Sequence, residues 1–353
     1  VTVSEPRTSI GGYDAILLYS FGGPEGPDEV MPFLENVVRG RPVPKERLEE
    51  VAVHYHHFGG KSPIVERTEE LLAALKAELT ANGIDLPVYQ ANRFWHPLIE
   101  DVGAQMAADG VRRALTFVTS ALSSWSGCRA YREQAYRAMD AIGEGAPEIH
   151  KIRAFYDHPG YVETWQERIE EALATFGEDR GRTRILFTAH SIPLGMARRC
   201  DYEDQLKDLA RLLTARVGHE HTRIVYQSRS GPPRMPWLEP DILDALDTLH
   251  AEDPSAPVLV APIGFVADHM EVVWDLDHEA REKAAELGLP FARATCPNAH
   301  PRYVTMIREL IEERLYPEER ERKALGTLGV RPDLCPPDCC LPGERPKRPA
   351  RPS

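Results

Sequence analysis

Apolar positions along this chain of 353 residues recur with two periods that alternate from end to end. Short apolar runs of strand length are each followed by a longer segment in which apolar residues return every three or four positions. Runs at 13–21 (YDAILLYSF), 87–91, 113–119, 149–155, 184–189, 222–227, 257–265 and 290–294 read as strands. Segments at 28–39, 63–82, 97–109, 128–142, 159–176, 202–217, 241–250, 270–286 and 301–315 read as helices. The clearest is 63–82, where Leu71, Leu72, Leu75 and Leu79 make one stripe. Such alternation predicts an α/β fold with parallel sheets covered on both faces by helices. Two sets of about four strands point to two similar Rossmann-like domains, each a roughly four-stranded parallel sheet, at 10–150 and 151–318. The final helix is free to pack back on the first domain. DAILLYSFGGP and RILFTAHSIP echo one another, each running a strand into a polar turn that ends in Pro. The remainder, 319–353, is charged, then Pro- and Cys-rich, and cannot build a core, so it is expected to be extended or disordered unless a metal pins it.

Composition narrows the function classes. Lys+Arg 42 against Asp+Glu 55 gives a net charge of -13, which argues against nucleic acid as a partner. No apolar run approaches the roughly 20 residues that span a bilayer, and no signal peptide opens the chain, so a cytoplasmic protein is expected. Six cysteines in a chain this long do not make a secreted disulfide scaffold. The glycine turns at 21–24 and 58–62 match neither GxxxxGK[ST] nor GxGxxG, so no nucleotide site is indicated.

Candidate chemistry concentrates at strand ends, where open α/β sheets bind ligands. His190 closes the run 184–189 and is followed by Ser-Ile-Pro. It reads either as a proton acceptor or borderline-metal ligand facing a cleft, or as a hydrogen-bonded structural histidine. Glu271, Asp275 and Glu279 are spaced i, i+4, i+8 at the start of the helix 270–286, a row with steps of roughly 6 Å on an α-helix. Such spacing most often marks a solvated acidic face. A cation path is the other reading, and Asp268 and Asp277 fall outside the row. The Pro-rich loop 227–241 is either a rigid structural loop or a ligand contact.

Several motifs together carry more than any of them alone. FGGPEGPDEV, FGGKSPI, NRFWHPLIED, FTAHSIP, QSRSGPPRMPWLEPD and GFVADHMEVVWDLDHEA resemble, in order and separation, the ferrochelatases, over residues 13–316. The resemblance implies an enzyme that inserts Fe2+ into a porphyrin in haem biosynthesis, releasing two protons with no redox change. It implies that His190 and Glu271 are the catalytic pair facing each other across the cleft. Asp275 and Glu279 would lead outward from them as further metal contacts. Phe21 stands where many bacterial members place a tyrosine that reaches the iron, and phenylalanine cannot ligate. Arg39 and Arg41 would meet propionates, or be solvated arginines at a helix end. Tyr55, Ser62 and Tyr131 are further porphyrin contacts by the same resemblance, and Trp125 either walls the ring or belongs to the core.

The resemblance is to actinobacterial members in particular. These usually take coproporphyrin III, and some of the family carry a 2Fe–2S cluster on three tail cysteines and one from the body. It implies a cluster on Cys128, Cys335, Cys339 and Cys340, leaving Cys200 and Cys296 as ordinary thiols. A zinc site or a disordered tail are the alternatives. The partners expected are the porphyrin and ferrous iron, with transient contacts to neighbouring haem-pathway enzymes, and the chain is expected to be a monomer. Protoporphyrin IX insertion, or a non-catalytic haem carrier or iron–sulfur sensor on the same fold, are the competing readings. Retention of both His190 and Glu271 argues against the carrier.

Overall fold

A computed structural model describes residues 9–231 and 234–343. The strands are β1 (Ala15–Ser20), β2 (Val88–Asn92), β3 (Arg113–Val118), β4 (Glu148–Lys151), β5 (Arg184–His190), β6 (Thr222–Gln227), β7 (Val258–Ala261) and β8 (Phe291–Arg293). They form two sheets of four, ordered β2-β1-β3-β4 and β6-β5-β7-β8, with every pairing parallel. The two orders are the same when counted from each sheet's first strand. In each, the first strand lies between the second and the third, so the chain reverses direction across the sheet at that strand's C-terminal end. That is the switch point at which open α/β sheets form a crevice.

All six residues of β1 are buried, as a strand covered on both faces requires. Its alternate side chains enter different cores. Ile16 and Leu18 join a large core that continues through Tyr161 and Trp165 into Leu186, Val258 and Val260 of the second sheet. Ala15, Leu17 and Tyr19 face a second core beneath the helices Ile99–Ala108 and Ala130–Ile142. A third, small cluster matters most for the site. Phe33, Leu34, Leu48, Ala52 and Tyr55 from two N-terminal helices pack on Met270, the residue before Glu271. The C-terminal helix Pro301–Leu315 returns to the first sheet's side, where Arg308 Nε donates to Glu78 Oε1 at 2.8 Å.

Three features differ from the sequence expectations or add to them. The helix Lys45–His57 was not anticipated, because its 13 residues are mostly polar and only Leu48, Ala52 and Tyr55 are buried. β7 stops at Ala261 rather than near 265, since Pro262 has no N–H to continue the ladder. The tail, through residue 343, is laid against the body without a helix or strand of its own. Leu325 N donates to Asp157 O at 2.9 Å, and Thr327 N to Asp208 Oδ2 at 2.7 Å. Polar groups of the body thus replace the core the tail lacks. Residues 344–353 of the tail, and Pro232 and Pro233 of the Pro-rich loop, lie outside the described residues. Among the described residues no helix is long and apolar enough to cross a membrane.

Candidate active site

His190 ends β5, and its backbone is held there by Tyr202, whose hydroxyl donates to the His190 carbonyl at 2.9 Å. Its ring Nδ1 is hydrogen-bonded to the Ser191 carbonyl. A carbonyl only accepts, so Nδ1 carries a proton and Nε2 is left as the reactive nitrogen. Nε2 stands 3.7 Å from Glu271 Oε1, which enters from the segment after β7. The two side chains therefore meet across the β5–β7 switch point. Two ligand bonds of ~2.1 Å each reach at most ~4.2 Å, so one ion fits between these atoms. Gly264 lets the segment after β7 come this close. A Cβ there would lie 2.5 Å from Ala189 Cβ and 2.7 Å from Ala189 Cα.

The helix that carries Glu271 is continuous over 270–286 but not uniform. It is α over Met270–Val272, π over Val273–Ala280 and α again over Arg281–Glu286. Asp275 and Glu279 sit in the π stretch, so the acidic row is not the α-helical row that the spacing implied. A π turn closes i→i+5, and a fourth-neighbour side chain then falls just short of a full turn instead of just past it. Asp275 is held from β6: Ser228 Oγ donates to its Oδ2, and Gln227 Nε2 does so at 3.2 Å. Gln227 also donates to the Glu271 carbonyl at 3.1 Å, and its own oxygen is fixed by Thr188 Oγ1 at 2.8 Å. Sequence reasoning singled out neither Gln227 nor Ser228 by role, though both open the Pro-rich segment. Asp268 and Asp277 are engaged elsewhere, with Arg293.

Electrostatics separate the three groups. Burial pulls His190 down, but the Glu271 carboxylate outweighs it and raises the imidazole to about 9. Glu271, whose side chain keeps 53% of its surface exposed to the cleft, is raised by the protein packed around its carboxyl, and His190 outweighs that, leaving it at about 2. Burial drives Asp275 up to about 7; the Ser228 hydrogen bond opposes this, and the charges of Glu271 and Glu279 add to it. At neutral pH the site holds an imidazolium–carboxylate pair beside a carboxyl group poised to titrate.

The remaining candidates are dispersed around this pair. Phe21 is tilted on Phe94, with centroids 4.7 Å apart. Tyr55 is buried edge-on to Phe33 at 5.8 Å, and burial followed by the nearby Glu271 charge raises its hydroxyl. Arg39 is exposed, and so is Arg41. Trp125 is half-buried at the start of a second π turn, Trp125–Arg129. Ser62 is buried against the FGGP turn, where a Cβ on Gly23 would meet its Cβ at 2.6 Å. Tyr131 is packed in the second core, edge-on to Tyr19 at 5.0 Å with Arg93 above its ring. The structure thus brings Tyr55 beside Glu271 and packs Ser62 and Tyr131 into the fold. An aromatic group the sequence reading passed over also lies here. His54 stacks on Trp274 at 3.9 Å with an interplanar angle of 5°, and His57 and His278 flank the same indole. The signal for it was the 4-then-3 spacing of Leu48, Ala52 and Tyr55, which marks a helix.

The four candidate cluster cysteines converge. Cys128, buried on the second π turn, is in hydrogen-bond contact with the thiols of Cys335 and Cys340, and Cys339 Sγ lies 3.3 Å from Cys340 Sγ. All four are free thiols. The bonds from Cys335 and Cys340 hold the Cys128 thiol well below its usual range and push their own thiols up, so the negative charge of the set settles on Cys128. Cys340 has φ of 54°, a sharp reversal that accompanies the adjacent pair. Arg129 Nη1 secures the loop by donating to Pro337 O at 2.6 Å and Cys339 O at 2.7 Å. Among the described residues no three His, Cys, Asp or Glu side chains are already set in a metal-coordinating arrangement. The chemistry of the set nonetheless fits thiolate ligation. Cys200 is raised to about 11 by burial, and burial likewise pushes Cys296 well up.

Residues 13–315 match the family model described as ferrochelatase. The chain is 51% identical over 337 residues to a ferrochelatase of Rhodopirellula baltica, covering 96% of this chain and 95% of that one. It is 48% identical over 350 residues to a coproporphyrin III ferrochelatase of Nocardia farcinica, covering 94% and 98%. Among solved structures it is similar to SirB from Bacillus subtilis with Fe3+, with a TM-score of 0.55 and 13% identity over 86% of this chain and 96% of that chain. At that identity the likeness speaks to the fold alone. With its two four-stranded parallel sheets and a match spanning both of them, the chain belongs to the ferrochelatase family.

Proposed function

We propose that this protein inserts ferrous iron into coproporphyrin III, releasing two protons, at the cleft between His190 and Glu271. The observation that carries the reading is the 3.7 Å approach of His190 Nε2 to Glu271 Oε1 at the sheet's switch point, with Asp275 next along the helix. Insertion replaces two pyrrole protons by one Fe2+, so charge balances with no electron transferred. The site must strip water from the metal and take up protons, which a neutral imidazole and a carboxylate both suit. The cause of the His190 shift orders these events. Glu271 holds the proton on Nε2, so iron arriving at Glu271 cancels that hold. Burial and the cation then drive the His190 proton off, freeing Nε2 to accept from a pyrrole. Asp275, at about 7, is suited to pass protons outward, and Glu279 continues the acidic row. Binding energy spread over the macrocycle supplies the ring distortion that bares its nitrogens. Phe21 contributes an apolar wall in place of an axial ligand. Exposed Arg39 and Arg41 suit the propionates, and the names of relatives such as the Nocardia farcinica protein support coproporphyrin as substrate.

The test is anaerobic Fe2+ with coproporphyrin III or protoporphyrin IX, followed by porphyrin absorbance. Metallation of coproporphyrin is expected. No metallation of either would sink the enzyme reading, and a preference for protoporphyrin would reverse the substrate. We further propose that Cys128, Cys335, Cys339 and Cys340 hold a 2Fe–2S cluster, which when bound would supply a covalent tie between tail and body. Visible absorbance that survives Cys335→Ser and Cys339→Ser would disprove that ligand set.

A further inference from the structure

We propose that Arg293 is a positioning residue for iron insertion: it clamps the π-wound helix on either side of Glu271 and so sets how that carboxylate faces His190. The proposal rests on the iron-insertion reading of this site. Arg293 is the last residue of β8, the strand beside β7, and its side chain is 12% exposed. Its Nε and Nη2 each donate at 2.7 Å to one of the two oxygens of Asp277, a forked grip. Its Nη1 donates to Asp268 Oδ1, also at 2.7 Å. Asp268 lies before the helix and Asp277 inside its π stretch, with Glu271 between them. The Asp268 end is itself anchored. Asn298 Nδ2 donates to Asp268 Oδ2 at 2.7 Å, and Asp268 N donates to Asn298 Oδ1 at 2.9 Å.

The clamp matters because π winding is unstable by itself and persists where something outside the helix selects it. Rewinding 273–280 as α would rotate every side chain beyond Glu271, and Asp277 would leave the plane of the fork. A guanidinium bonded to both aspartates therefore admits one winding. Gln227 and Ser228 hold the same stretch from β6, through the Glu271 carbonyl and Asp275. Glu271 is thus the projecting residue of a segment fixed from the sheet at two strand ends. Asp268 and Asp277, which add nothing to the acidic row, acquire a purpose.

The test uses full-length Arg293→Gln, Arg293→Lys and Asp277→Asn proteins. It reads kcat and porphyrin KM for iron insertion, porphyrin binding by fluorescence, and hydrogen exchange of 269–280. Misplacing a reacting group by about 1 Å costs on the order of 10²-fold, so Arg293→Gln is expected to lose that much kcat with porphyrin KM and binding near wild type. Lysine cannot reproduce the fork, so Arg293→Lys should behave as the glutamine variant does. Asp277→Asn keeps the Asp268 anchor and should show a smaller kcat loss, and it carries the test where the glutamine variant does not fold. Exchange should rise across 269–280 and nowhere else. Wild-type kcat in folded Arg293→Gln overturns the proposal. So does a fall in kcat matched by an equal fall in porphyrin affinity, or full rescue by lysine. If wild-type protein metallates no porphyrin, the functional reading fails, and the exchange of 269–280 still decides the clamp.

Discussion

His190 keeps its proton because Glu271 holds it there, and the two shifts have opposite signs in pH. His190 is raised from 6.5 to about 9, so its contribution to stability is complete below 6.5 and is lost as pH climbs through about 9. Glu271 is lowered from 4.5 to about 2, so its contribution is present above 4.5 and is lost as pH falls through about 2. Replacing Glu271 by Gln removes the main opposition to burial and leaves only the Ser191 carbonyl and the Asp275 charge, so His190 is expected to titrate well below 9. NMR titration of the imidazole checks this, and a value still near 9 would remove the pairing from the explanation. Asp275 behaves in the reverse sense. Raised from 3.8 to about 7, it costs the fold increasingly as pH rises between those values. Asp275→Asn should therefore raise the melting temperature above pH 7 and leave it unchanged in acid. For turnover, His190→Ala and Glu271→Gln are expected to be most severe, Asp275→Asn intermediate and Glu279→Gln mildest. A Glu279 effect as large as that of Glu271 would end the idea of a graded row.

Elements decide what these residues can reach. β5 is one rigid strand delivering His190, and Gly264 is the contact that lets the next segment lie on it. Gly264→Ala puts a methyl 2.5 Å from Ala189 Cβ and 2.7 Å from Ala189 Cα, which leaves no room. Overpacking of this kind costs about 1–3 kcal/mol, and the displaced neighbour of Ala189 is His190. Denaturant melts and turnover should both fall, and wild-type values for both would show that the strand end tolerates movement. The strands were readable beforehand because parallel strands buried on both faces are continuous apolar runs, as in AILLYS of β1. The π winding of 273–280 was not readable. Its residues fit an α pattern, and the groups that select the π register, Arg293 and Gln227, come from other strands. The helix Lys45–His57 was missed for a related reason: its burial comes from Phe33 and Met270, which its own polar sequence does not announce.

At the scale of the molecule, the tail is a strap tied to the body by polar contacts at several points. Arg153 donates to Glu313 at 2.8 Å within the body and to Lys323 O at 2.8 Å in the strap. Gly326 passes so close to Asp208 and Asp157 that a Cβ would lie 2.3 Å and 2.7 Å from their carboxylates. Gly326→Val is therefore expected to lift the strap, and Arg129→Ala to loosen the loop 335–340. Each should speed proteolysis of the tail and reduce the visible absorbance expected of the cluster proposed on Cys128, Cys335, Cys339 and Cys340, with the melting of the body little changed. A tail as resistant as wild type in both variants would show that neither contact holds it.

By itself the sequence determined the strand runs, the two-sheet α/β architecture and, through its spaced motifs, the family to which the chain belongs. These are local properties, written in periodicity and in residues that keep their order along the chain. Tertiary structure alone decided the 3.7 Å meeting of His190 with Glu271, the proton that each holds, and the docking of the strap. It also decided that Ser62 and Tyr131 pack inward, and that Asp268 and Asp277 serve Arg293. Those outcomes depend on burial and on charges contributed by distant segments, and neither is a property of any one stretch of chain.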